Sequence, residues 1–94
     1  MNEPIGKEEI KAKLAALMGW DWQSGKLVKS FRFGGFREAM SFLLRVSYEA
    51  EQRDHHPEIF NCYCDVKLSL STHDAGGQVT DKDFDLAKAI DSIA

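Results

Sequence analysis

A chain of 94 residues holds one compact domain and leaves too little for a second core. Its 44% hydrophobic and 29% charged residues are those of an ordinary globular protein, neither disordered nor fibrous. A formal charge of −3 argues against a broad phosphate-neutralising surface for nucleic acid, and no apolar run approaches the ~20 residues needed to cross a bilayer.

The start, Met1-Asn2-Glu3-Pro4, lacks the basic and apolar stretches of a secretion signal, so a cytoplasmic location is expected. A domain this short buries only roughly 60 to 65 per cent of the surface its unfolded chain exposes. Self-association, as dimer or tetramer, is therefore an expected source of stability.

Ile10, Leu14, Leu17 and Met18 recur at offsets of three and four, which predicts an amphipathic helix over 7–18 with Gly19 as its stop. Trp20-Asp21-Trp22 begins an alternating strand that turns at Gln23-Ser24-Gly25-Lys26 and returns over Lys26 to Phe33. Gly34-Gly35 breaks that strand. Phe36, Met40, Leu43, Leu44, Val46 and Ala50 then follow helical spacing for about eighteen residues. The helix should end near Arg53-Asp54-His55-His56, because Pro57 disfavours helical backbone at the residue before it.

Two more strands are expected between Glu58 and Thr72, with Asp65 near the turn between them. In the second, Val66, Leu68, Leu70 and Thr72 face one way and Lys67, Ser69, Ser71 and His73 the other. His73 then projects from the polar face or sits just past its end. Cys62 and Cys64 read as neighbours on one strand face at roughly 6.5 Å, a geometry for packing rather than for a disulfide or a metal. Gly76-Gly77 supplies a loop, Thr80 an N-cap with Asp83 three residues on, and Phe84, Leu86, Ala87, Ile90 and Ile93 a closing helix. The order α-β-β-α-β-β-α predicts an α+β fold: a four-stranded antiparallel sheet with helices packed on one face.

All three histidines fall between residues 55 and 73, two at a helix end and one at a strand end. Imidazole exchanges protons near neutral pH without large tuning, so the cluster suits acid/base chemistry, with Glu51 or Asp54 available to fix a tautomer. The competing reading is a surface helix terminus, where cationic imidazole is favoured by the helix dipole. A zinc site is disfavoured because adjacent histidines rarely point at one ion.

The run Asp54-His55-His56-Pro57-Glu58, followed by Phe60-Asn61, Tyr63, Ser71-Thr72-His73, Gly76-Gly77, Asp83 and Leu86-Ala87, resembles the signature of pterin-4a-carbinolamine dehydratases. The first half agrees more loosely, through Gly19-Trp20 and Phe31-Arg32-Phe33. Ile59 stands where many relatives carry Trp, and the segment from His73 to Asp83 is one residue longer than the commonest spacing. The resemblance implies a metal-free and cofactor-free hydro-lyase that dehydrates 4a-hydroxytetrahydropterin to quinonoid dihydropterin, serving an aromatic amino acid hydroxylase. It also implies His55, His56 and His73 as catalytic residues, with Glu51, Trp20, Asp54, Ser71, Thr72 and Asp83 around the substrate. Trp20 can equally be core or interface packing, and Asp83 a capping-box acid. Some relatives serve instead as dimerisation cofactors that bind a helical domain of a transcription factor.

Overall fold

The computed structural model describes residues 3–94. Its first helix, α1 (Lys7–Leu14), stops four residues short of the span expected from its apolar stripe. Beyond Leu14 the chain tightens through Ala16 N–H to Lys13 O at 3.1 Å and Leu17 N–H to Leu14 O at 3.0 Å. That tightening turns Leu17 into the core and leaves Met18, expected on the buried stripe, 87% exposed.

Strands β1 (Asp21–Gln23) and β2 (Lys26–Arg32) form the first hairpin. Ser24 and Gly25 both adopt left-handed backbone, φ 51° and 78°, as a two-residue turn matched to strand twist requires. The long helix α2 (Phe36–Gln52) follows, then the second hairpin, β3 (Glu58–Cys62) with β4 (Asp65–Leu70). Asn61 holds that hairpin's turn by donating its amide to Tyr63 O at 3.2 Å and Asp65 O at 3.0 Å. The turn separates the two cysteines, which do not share a strand face: Cys62 is exposed and Cys64 buried. A short 3-10 turn (His73–Ala75) leads to α3 (Asp81–Ile93).

All strand pairs are antiparallel, in the order β1-β2-β4-β3. The two central strands place Leu27, Val66, Leu68 and Leu70 inward, each buried against the helices. From α2, Ala39, Phe42, Val46 and Ala50 meet them, with the Phe42 ring 4.8 Å from those of Phe31 and Phe33. Burial of one such side chain stabilises by about 1.5–3 kcal/mol. The inward face of α2 differs from the one its periodicity suggested. Val46 and Ala50 are buried as expected, but Phe36 and Leu44 point outward at 50% and 57% exposure while Ala39 and Phe42 fill the inward face.

At the far end of α3, Asp91 gathers β1 and β2. Its carboxylate accepts the Trp20 indole N–H at 3.0 Å and Lys29 Nζ at 2.9 Å, and that ammonium also lies 5.0 Å from the centre of the Phe31 ring. Replacing Asp91 by Ala leaves the Trp20 N–H without an acceptor and Lys29 with only the Met18 carbonyl, in a half-buried site. The expected cost is about 1–3 kcal/mol, read as a lower urea midpoint at unchanged slope.

Candidate active site

The site begins where α2 ends. Asp54 takes the left-handed conformation, φ 49°, a region that Asp tolerates better than most residues. Its N–H reaches Glu51 O at 3.1 Å while His55 N–H reaches Ala50 O at 3.0 Å, the paired bonds of a Schellman ending. The backbone reversal sends His55 inward, where it is 7% exposed, and leaves His56 outside.

His55 Nε2 lies 2.6 Å from Asp83 Oδ1. Asp83 is fully buried on the first turn of α3, and its second oxygen accepts Thr80 N–H at 2.9 Å and the Thr72 hydroxyl at 2.8 Å. The capping box expected of Thr80 and Asp83 is thus present, and the same carboxylate also holds His55. The capping-box reading of Asp83 holds, whereas its expected place around the substrate does not: the side chain is fully buried and does not border the cleft, which it meets only through His55. The Thr80 N–H and the Thr72 hydroxyl thus converge on one oxygen of this carboxylate, and His55 Nε2 meets the other.

The connection from β4 to α3 closes on itself. Thr72 N–H bonds Gln78 O at 2.9 Å, and Gly77 N–H returns to Thr72 O at 3.0 Å. Gly76 and Gly77, φ 72° and 78°, make this return in a region that costs residues with a Cβ. The closure sets Thr72 beside Thr80 and lifts His73, exposed, onto the 3-10 turn.

An open cleft of about 320 Å3 results, bounded by Asp54, His55, His56, Ser71, His73 and Lys82. This volume sits at the lower end of the ~300–1,000 Å3 usual for small-molecule sites. All three imidazoles therefore reach one cleft, joined by Asp54 and Ser71. Glu51 stands at its margin, where it takes His56 Nε2 at 2.9 Å in an exposed pair; it does not reach His55. Thr72 contributes to the wall, but its hydroxyl is committed to Asp83 behind it. Trp20 is a correction. It is 4% exposed in the core with its N–H on Asp91, and it does not border the cleft, so within this chain it packs rather than contacts a ligand.

Arg53 braces the arrangement by joining the end of α2 to α3. Burial works against its charge, yet hydrogen bonds to Asp85 at 2.9 Å and Glu49 at 2.8 Å hold its pKa above the ordinary value. Sequence reasoning missed Lys82 and Asp74 as wall residues. It also missed the reach of Thr80 to Thr72 at 2.6 Å, a contact across eight residues that no local spacing announces. The position of Lys82 between a cap and its capping acid was the available signal. Among the described residues, no group of three or more His, Cys, Asp or Glu is arranged to hold a metal ion.

Fold and site together define a small α+β protein with a histidine-lined cleft, and comparison with known proteins places it further. Residues 3–93 match the family model described as pterin 4 alpha carbinolamine dehydratase, and the chain belongs to that family. A relative from Opitutus terrae named as a pterin-4-alpha-carbinolamine dehydratase is 50% identical over 90 residues, covering 96% of this chain and 93% of its own. One from Sulfolobus acidocaldarius bearing the same name is 43% identical over 89 residues, covering 95% and 97%. The crystal structure of a transcriptional coactivator/pterin dehydratase from Brucella melitensis superposes with a TM-score of 0.91 at 35% identity, covering 97% of this chain and 98% of that one.

Because Asp54 needs left-handed backbone to end α2, Asp54→Gly should match the parent in thermal stability. Asp54→Val should lose about 1–2 kcal/mol, measured by urea denaturation.

Proposed function

We propose that the protein dehydrates 4a-hydroxytetrahydropterin to quinonoid dihydropterin and so returns pterin cofactor to an aromatic amino acid hydroxylase. Family membership supports the reaction class. The observation that carries the residue assignment is the shared cleft of His55, His56 and His73, with His55 backed by buried Asp83.

Dehydration breaks the C4a–O bond, takes a proton from the adjacent ring nitrogen, forms the new C=N double bond and releases water. The departing hydroxyl needs a proton from one side while the nitrogen yields one at another, which suits two separately placed imidazoles. His55 is the base in this reading. Its Nε2–H is committed to Asp83, which leaves the Nδ1 lone pair for the substrate and an adjacent carboxylate to stabilise the imidazolium that forms. His73, exposed at the same cleft, is the acid that protonates the leaving hydroxyl. His56, tied to Glu51, orients the pterin, with Asp54, Ser71 and Lys82 offering polar contacts to its ring edge.

His55→Ala and His73→Ala should each lower the dehydration rate by roughly 10² to 10⁴, followed spectrophotometrically with the far-ultraviolet dichroism unchanged. His56→Ala should act mainly on KM. Parent-like kcat in the first two variants would remove the assignment.

Self-association belongs to the same proposal. Phe36, Met40, Leu44 and Tyr48 recur every four residues along α2, and Leu44 and Tyr48 are 57% and 68% exposed. Such a stripe is an interface in wait of a partner, and a second copy of α2 supplies a matching one. A binding module for a helical regulatory partner would use the same stripe, and its binding would survive the histidine substitutions. Leu44→Glu should shift the sedimenting species toward monomer while leaving the cleft intact.

A further inference from the structure

Behind His55 lies a layer of buried polar groups. Thr72 and Thr80, 2% and 0% exposed, place their hydroxyl oxygens 2.6 Å apart, and Thr72 Oγ1 continues to Asp83 Oδ2 at 2.8 Å. Thr80 Oγ1 also accepts the Lys82 N–H at 3.2 Å, as the N-cap of α3. Each hydroxyl has one hydrogen to give. If Thr72 donated to Thr80, the Thr80 hydrogen would have no acceptor in a fully buried position, a costly arrangement in any protein interior. The chain therefore runs one way: Lys82 N–H to Thr80, Thr80 O–H to Thr72, Thr72 O–H to Asp83.

We infer that Thr72 and Thr80 are positioning residues whose one-way hydroxyl chain keeps Asp83 an acceptor at both oxygens, and so fixes which nitrogen of His55 carries its proton. The polarity originates in helix capping. Because Thr80 must accept from the helix, its hydrogen is free only for Thr72, and Thr72 is left only the carboxylate. Reversal of the chain would require a proton on Asp83 Oδ2, and His55 Nε2 would no longer face a wholly ionised partner. Thr72 and Thr80 thus act on the reaction through Asp83 and His55, and the kinetic part of this inference rests on the function proposed above.

The test is 15N NMR of protein labelled at histidine, which separates protonated from unprotonated ring nitrogens, read together with steady-state dehydration kinetics. The parent should show His55 as a single Nε2–H tautomer. Thr72→Val, which keeps the shape and removes the hydroxyl, should give a mixture of tautomers and lower kcat by about 10- to 100-fold, as when partners orienting metal-bound histidines are lost, with KM nearly constant. Thr72→Ser should restore both. Thr72→Ala, which removes the same hydroxyl with less bulk, should shift the tautomer signal in the same direction, and it decides the matter alone if Thr72→Val fails to fold. A parent-like tautomer in Thr72→Val, or in Thr72→Ala where that variant alone folds, overturns the inference. A parent protein without dehydratase activity would overturn the proposed function instead, and the ring-nitrogen signals would still decide the tautomer.

Discussion

One buried carboxylate organises this molecule. Asp83 is inaccessible to solvent, so its charge must be met within the protein, and it is met by a helix N-terminus, a threonine hydroxyl and an imidazole. Those donors come from α3, from the strand end after β4 and from the end of α2. The same interaction that starts the last helix thus draws together the three segments that wall the cleft. Breaking it by removing the acid would leave buried donors unpaired as well as His55 unsupported.

The rest of the scaffold serves to bring those segments into register. The two hairpins set β2 against β4 so that Leu70 and Thr72 continue one inward face, carrying the chain from core to site within two residues. Arg53 ties the end of α2 to α3, and the left-handed Asp54 converts the end of a helix into an inward step. Helix ends and strand ends are where side chains can converge without giving up regular hydrogen bonding.

Much of this was readable in the residues. Period-two alternation from Val66 to Thr72 and the Ser24-Gly25 turn predict the sheet, and histidines clustered between residues 55 and 73 point to one site. Other features were hidden for physical reasons. Helix α2 carries apolar residues on both faces, so periodicity alone could not choose Ala39 and Phe42 over Phe36 and Leu44 as the buried set. Met18 and Leu17 are both apolar neighbours of a helix end, and only the tightening after Leu14 separates them. The indole N–H of Trp20 has its partner 71 residues away in Asp91, beyond the reach of local spacing. Asp83 fitted a local capping motif so completely that the reach of its Oδ1 toward His55 left no trace in the spacing.

The loop between β4 and α3 carries a consequence for how such a protein can vary. Its two ends are bonded to each other through Thr72 and Gln78, and the excursion from His73 to Gly77 hangs outside that closure. Residues gained or lost in the excursion leave the distance from Thr72 to Thr80 unaltered, while they reset the height and reach of His73 above the cleft. Loop length is then an adjustable screw on one wall of the cleft, set apart from the buried groups beneath it.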